Sequence, residues 1–260
     1  MRIFQSSLPD LFRQPRRPIS SLTKTHVLER DRLSESRSHI GHENIGQRFA
    51  AALDPHGLIL RGAFALQPGD GLGEGMLVMV GNAGGAMWAA FESHRDDDPN
   101  PLDRWTKRIV DPLAALFGAR AIYPFDRPHP PFQRWAKRAE GLQSSPLGLL
   151  IHADYGLWHA YRAALVFPQL MEGLASTCEP TVSPCDSCLE KPCLSACPVE
   201  AFSPEGYDVP ACASYLASPG GESCTSAGCA ARNACPVGPD FRYCDAQIRF
   251  HMAAFSRTVT

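Results

Sequence analysis

Cys185-Asp186-Ser187-Cys188-Leu189-Glu190-Lys191-Pro192-Cys193-Leu194-Ser195-Ala196-Cys197-Pro198 is the stretch from which the rest of the chain is read. Its form is C-x2-C-x4-C-x3-C-P. A looser set follows at Cys212, Cys224, Cys229 and Cys235, the last again followed by proline, Pro236. All ten cysteines lie between Cys178 and Cys244, and the first 177 residues hold none. A C-x2-C loop turns tightly enough to aim two sulfurs at one centre. It also points backbone N–H groups inward, which suits an anionic core. Proline after the closing cysteine fixes φ, supplies no donor and turns the chain away.

Three chemistries use thiols in this way. Structural zinc takes C-x2-C pairs, but zinc ribbons need two such knuckles, and Cys185–Cys188 is the single one here. Disulfides suit an even count, but the motif cysteines stand too close for well-formed mutual bridges, and no signal peptide is expected before them. Iron–sulfur clusters are the reading adopted.

The arrangement resembles the bacterial two-cluster ferredoxins, whose run is C-x2-C-x2-C-x3-C-P and whose fourth cysteine ligates the other cluster. The longer x4 spacing is similar to the iron–sulfur subunits of large membrane-linked oxidoreductases. Carried over residue by residue, the resemblance implies two 4Fe–4S clusters. One takes Cys185, Cys188, Cys193 and Cys235; the other takes Cys197, Cys212, Cys224 and Cys229. Cys224-x4-Cys229-x5-Cys235 is wider than the family's C-x2-C-x3-C, so the spacing leaves open whether Cys224, Cys178 or Cys244 completes the second set. The two cysteines left over, Cys178 and Cys244, are expected to be buried, inert thiols.

Ala211-Cys212-Ala213-Ser214-Tyr215-Leu216, between the two Cys-Pro sets, resembles a Cys-x-Ser-Tyr-Leu stretch of the epoxyqueuosine reductases. Leu147-Gly148-Leu149-Leu150-Ile151-His152-Ala153-Asp154-Tyr155-Gly156-Leu157-Trp158 resembles that family's apolar strand followed by Tyr-Gly-x-Trp. It is still more similar to the Ile-His and Phe-Gly-Gly-Trp of the cobalamin-processing proteins. These resemblances cover roughly residues 110 to 255. They imply a nitroreductase-related α/β (α+β) layer that holds a corrinoid, followed by a ferredoxin-like dicluster module. They also imply cofactor contacts from His152, Tyr155 and Trp158, and a proton-donating acid at Asp126. The residues themselves allow plainer roles. Asp126 can be a turn residue beside Pro128, His152 a satisfied core histidine, and Tyr155 and Trp158 core aromatics. Glu140–Pro146 lacks the Gly-Trp-Ile-Gly-Lys of epoxyqueuosine reductases, and the helical-repeat tail that grips tRNA there is expected to be missing after Thr260.

Length and charge bound the rest. With 260 residues, the chain can hold one large domain or two smaller ones. The division expected is an extension at 1–40, an α/β domain at 41–170 with a corrinoid pocket, and a ferredoxin-type domain at 171–260. A net charge of −2 gives no ground for general nucleic-acid affinity. No apolar run reaches the roughly 18 residues of a membrane helix. Thiols meant for iron point to a reducing compartment, the cytoplasm. Residues 1–40 are Arg- and Ser-rich and acid-poor, which fits a transit peptide, a disordered extension or a misplaced start.

Periodicity predicts helices at Asn44–Leu53, Ala86–His94, Pro101–Phe117, Phe132–Ala139 and Tyr243–Phe255, and strands at Leu58–Leu66, Met76–Val80, Ala119–Tyr123, Leu147–His152 and Leu157–Phe167. Trp105, Ile109, Leu113, Leu116 and Phe117 should form the buried stripe of the third helix, with a kink at Pro112. Gly81-Asn82-Ala83-Gly84-Gly85 is expected as a tight loop between strand and helix. It lacks the residues of a P-loop. The function expected is electron transfer by two 4Fe–4S clusters, fed by a donor such as ferredoxin or flavodoxin. The alternatives are a cobalamin-dependent reductase and a non-enzymatic corrinoid-processing protein, each with a corrinoid or other small-molecule ligand.

Overall fold

Met76-Leu77-Val78-Met79-Val80 is buried on both sides, and that sets the architecture. It begins β2 (Met76–Ala83), the second strand of a four-stranded sheet of order β1-β2-β6-β3. β1 is Ile59–Ala65, β3 Arg120–Ile122 and β6 His159–Phe167. The computed structural model describes residues 44–171, 174 and 181–259. The extension at 1–40 and Cys178 lie outside them.

Met76, Val78 and Val80 face a core closed by three helices, α1 (Ile45–Leu53), α2 (Ala86–Glu92) and α3 (Pro101–Leu116), through Phe49, Leu53, Met87, Phe91 and Trp105. Leu77 and Met79 face the opposite core, closed by α4 (Phe132–Glu140) through Trp135, Ala136 and Ala139. A strand covered on both faces reads as a continuous apolar run rather than an alternation. Helices interleaved with strands suggest crossovers and parallel pairing. Every pairing in this sheet is instead antiparallel, which makes the fold a mixed α+β layer. β2 and β6 are direct neighbours although α2, α3, β3 and α4 all lie between them in sequence.

Local signals fix several ends. Asn44 caps α1 in a reciprocal capping box with Gln47. Gly57, in the left-handed region at φ 61°, ends the following turn. Three expectations are corrected. The buried face of α3 carries Leu102, Trp105, Thr106, Val110 and Ala114, whereas Leu116 is 73% exposed. Ile109, Leu113 and Phe117 sit at its margin. β2 runs on through Gly81, Asn82 and Ala83, because these pair with β6, so only Gly84 and Gly85 turn into α2. Of the strand expected at Leu147–His152 only Leu150–Ile151 forms. This short strand, β5 (Leu150–Ile151), pairs with β4 (Gln143–Ser144), and His152 bridges back to Gly156.

Two one-residue bulges interrupt the sheet. Leu60 faces Val80 and Ala63 faces Val78, so Arg61 and Gly62 together oppose Met79. Gly62, at φ 69°, supplies the left-handed residue such a bulge needs. On β6, Ala163 faces Val80 and Tyr161 faces Gly81, so Arg162 is the extra residue.

The cysteine-bearing half is built from short pieces. These are α5 (Pro184–Ser187), α6 (Pro192–Ser195), β7 (Phe202–Ser203), β8 (Gly206–Tyr207), α7 (Val209–Leu216), α8 (Glu222–Ala227) and α9 (Ala230–Asn233), before the longer α10 (Asp245–Val259). Four-residue helices are not stable alone. Here they are held by Leu147, Ile151 and Leu157, which pack among Cys193, Ala231, Leu194 and Val237. α10 reaches the first core through Phe250, whose ring lies 5.3 Å from both Trp88 and Phe91. The described residues accordingly form one compact unit.

The tightest join is backbone on backbone. A Cβ on Gly156, already at φ 55°, would stand 1.9 Å from the Val237 carbonyl oxygen, and one on Gly238 would stand 2.6 Å from that of Asp154. Gly156→Ala is therefore expected to destabilise the protein by at least about 2 kcal/mol, a combined cost of strain and displacement. Chemical denaturation followed by circular dichroism measures it. An exposed glycine with open space around it, Gly71→Ala, serves as the comparison and isolates the strain of a positive φ (68°).

Candidate metal centres and the adjoining cavity

Cys185, Cys188, Cys193 and Cys235 reach one cavity by way of short turns. Cys185 opens α5, where the Ser183 hydroxyl caps its N–H at 3.2 Å, and Cys188 ends that turn. Lys191 takes the left-handed conformation at φ 40° and folds the x4 segment back, so that Cys193 starts α6. Cys235 follows α9. Cys185, Cys188, Cys193 and Cys235 line one cavity together with Leu147, Ile151 and Leu157. Burial pushes the Cys185 thiol up, Ser183 opposes this, and the neighbouring Cys235 and Cys188 push it further. Cys193 is raised by burial and by Cys235, Cys185 and Cys188. Thiols that raise one another ionise together only when a cation offsets their repulsion.

Cys197, Cys212, Cys224 and Cys229 line a second cavity of about 450 Å³. Glu200, also left-handed at φ 50°, shapes the turn that lets the Ala201 N–H point at Cys197 Sγ, 3.4 Å away. Cys212 sits on α7, capped by Asp208, and Cys224 on α8. Burial raises the Cys229 thiol most, with Cys224 and Cys197 adding to it. Tyr207 bonds Cys212, and burial and that thiol both push its hydroxyl up. Among the described residues no three His, Cys, Asp or Glu side chains converge as a single metal ion requires. Cys244, expected to be buried, is exposed and lines neither cavity, because it precedes α10 on its outer side.

The remaining candidates do not gather at one point. The Asp126 carboxylate accepts the Tyr123 N–H at 2.8 Å and closes the 123–126 turn. His152 Nδ1 accepts the N–H groups of Asp154 and Tyr155, and its ring stacks on Tyr155 at 4.1 Å. The other neighbours of Tyr155 are Phe241 and the Arg61 guanidinium. Trp158 is 2% exposed, packed edge-on against Tyr243 and under Arg232, whose guanidinium carbon lies 4.4 Å from its ring centre. Gly84, in the glycine-rich loop, packs against Phe241, and Gln247 stands beside Gly85.

Sequence reading missed a buried charge network behind these residues. The bulge at Arg61 and Gly62 turns Arg61 inward, where it is 1% exposed. It binds Glu140 through both nitrogens of its fork, at 2.8 and 2.9 Å. The Tyr161 hydroxyl donates to the same carboxylate. His159 Nε2 donates to the Leu150 carbonyl at 3.1 Å, since a carbonyl only accepts, and this leaves Nδ1 to accept from Arg61 at 3.3 Å. Burial and then Arg61 depress His159 to about 3. The available signal was an arginine inside an apolar strand, immediately before glycine.

No family model matches the chain, and no curated protein matches it. Among solved structures, an epoxyqueuosine reductase with a modified tRNA-Tyr stem loop aligns at TM-score 0.43 and 14% identity, over 85% of this chain and 68% of that one. An epoxyqueuosine reductase from Bacillus subtilis aligns at TM-score 0.42 and 16% identity, over 85% and 60%. The B12-trafficking protein CblC from C. elegans aligns at TM-score 0.46 and 13% identity, over 87% and 96%. Likeness at this level carries nothing about the site's chemistry.

Two outcomes are expected from the network. Glu140→Leu leaves Arg61 buried without its partner and should cost about 3–5 kcal/mol in denaturant unfolding. His159 has a folded value near 3 against an ordinary 6.5, so its contribution is complete above pH 6.5 and is lost as pH falls toward about 3. Replacing it by Gln should flatten the pH dependence of unfolding free energy in that window by up to one proton, about 1.4 kcal/mol per pH unit.

Proposed function

We propose that the chain is an iron–sulfur redox protein carrying two 4Fe–4S clusters, one on Cys185, Cys188, Cys193 and Cys235 and one on Cys197, Cys212, Cys224 and Cys229. One observation carries the reading: the eight thiols fall into two cavities, four and four, in the groups that a ferredoxin-like spacing implies. The donor chemistry fits, since each set offers four soft thiols in a largely apolar enclosure, where an anionic thiolate set needs a cationic core. A 4Fe–4S cluster, when bound, takes up and gives off single electrons. The chain's own part is to hold the thiols, keep water out with Leu147, Ile151 and Leu157, and direct N–H groups such as that of Ala201 at sulfur. Hydrogen bonds and exposure of this kind tune cluster potentials. Cys197 and Cys235 lace the two sets together, because each belongs by sequence to one run and by position to the other.

A second reading gives these electrons to an acceptor bound in the same chain, a corrinoid included. It is favoured by a cavity of about 320 Å³ that shares Leu149, Arg232 and His251 with the second cysteine cavity, although Asp126, His152, Tyr155 and Trp158 do not line it. There the cofactor would carry the hard chemical step and the protein would position it. Asp126 as acid, and His152, Tyr155 and Trp158 as contacts, belong to this reading by resemblance. A donor such as ferredoxin or flavodoxin belongs to both. No helix among the described residues is long and apolar enough to cross a membrane.

Anaerobic preparation is expected to give a brown protein with iron and acid-labile sulfide each near eight per chain, about four per set. Cys197→Ala should lose at least half of both, while Cys244→Ala keeps them. Stoichiometric zinc without sulfide would overturn the reading. Cobalamin titration followed in the visible spectrum tests the second reading, with Asp126→Asn expected to leave binding intact and lower turnover by about 10²–10⁴-fold.

A further inference from the structure

The cavity of about 320 Å³ lies where β6, the start of α4 and α10 meet. Arg162, Arg232, His159, His251, Tyr161 and Tyr243 supply its polar wall, and no carboxylate lines it. β6 lends the cavity four consecutive residues, His159, Ala160, Tyr161 and Arg162, the last of which is the extra residue of its bulge. Bulges commonly re-aim side chains beside functional sites.

Both guanidiniums are fixed before any ligand arrives. Arg162 donates from Nε to Asn82 Oδ1 at 3.2 Å. Arg232 donates from Nη2 to the Leu157 carbonyl at 2.6 Å and lies between the rings of Trp158 and Tyr243. Among the described residues neither is in an ion pair. The nearby carboxylates are engaged or set back. Glu140 is taken by Arg61, and Asp103 acts on Arg162 from outside the cavity wall. Two buried nitrogens on the wall have no hydrogen-bond partner, Arg232 Nε and His251 Nε2. Buried polar atoms are nearly always paired, so these orphans point to a molecule beside them, in this cavity or in the second cysteine cavity whose wall both residues share. Two fixed guanidiniums outside any ion pair among the described residues, with Asp103 acting on Arg162 only at longer range, name its charge.

We infer that this cavity binds a small oxyanion, the carboxylate or phosphate group of a metabolite-sized molecule, held between Arg162 and Arg232. The inference rests on the cavity alone and does not depend on what the cysteines hold. Arg232 and His251 also line the second cysteine cavity, whereas Arg162, Tyr243 and Gln133 line only this one. Variants at Arg162 and Gln133 therefore separate the two.

The test is isothermal titration of the full chain, purified anaerobically, with inorganic phosphate and separately with acetate, at ionic strength held constant with chloride. Iron and sulfide are assayed in the same samples. One saturable site is expected, and the stronger of the two anions identifies the group. Arg162→Gln should weaken it by about tenfold or more, the loss of a charge-assisted hydrogen bond. Gln133 is exposed at the mouth, so Gln133→Trp should obstruct entry and weaken binding without lowering Tm. It decides the matter if Arg162→Gln does not fold. Absence of saturable binding by either anion, or binding unchanged in the deciding variant, overturns the inference. Iron content unaltered in these variants keeps that failure distinct from failure of the cluster reading.

Discussion

The close approach of Gly156 to Val237, matched by that of Gly238 to Asp154, is the contact on which the rest of the molecule depends. It seats the last cysteine turn directly on the segment between β5 and β6. No side chain intervenes, so the distance between the sheet and the cysteines is set by backbone alone. Leu147, Ile151 and Leu157 then fill the angle between them and become one wall of the first cysteine cavity. The short helices that carry the cysteines have too few hydrogen bonds to stand alone, and this platform supplies their order.

The sheet itself is made asymmetric by its two bulges. One turns Arg61 inward onto Glu140, Tyr161 and His159; the other turns Arg162 toward the cavity under α10. A buried ion pair is weak evidence for stability, because desolvation offsets most of its attraction. Here it has a clear positional effect. Arg61 fixes the tautomer of His159 and lies under the ring of Tyr155, so the turn that meets Gly238 is anchored from behind.

Electrostatics divide the cysteine half in two. Crowded thiols line two apolar enclosures, and each raises its neighbours. Two guanidiniums that make no ion pair among the described residues, those of Arg162 and Arg232, stand at the adjoining cavity. The thiols of the second enclosure and the cavity beside it thus share a wall of Leu149, Arg232 and His251.

Much of this was legible in the chain itself. The apolar run at Met76–Val80, the capping residue Asn44 and the turn at Gly57 are local signals, and local hydrogen bonding obeys them. The cysteine spacing marked out Cys185, Cys188, Cys193 and Cys197 as one run, because a short loop restricts where its sulfurs can point, but it left open which cysteine completes the second set. Other features were decided only by tertiary packing. Periodicity alone places Leu116 and Trp105 on one stripe, but which face of α3 is buried depends on where α1 and the sheet stand, and Leu116 is left outside. Antiparallel pairing of β2 with β6 spans more than 70 residues and has no local signature. The bulges, the inward turn of Arg61 and Arg162, and the exposure of Cys244 arise from register and docking. A sequence pattern encodes which residues a short segment can present, but partners distant in the chain determine what those residues meet.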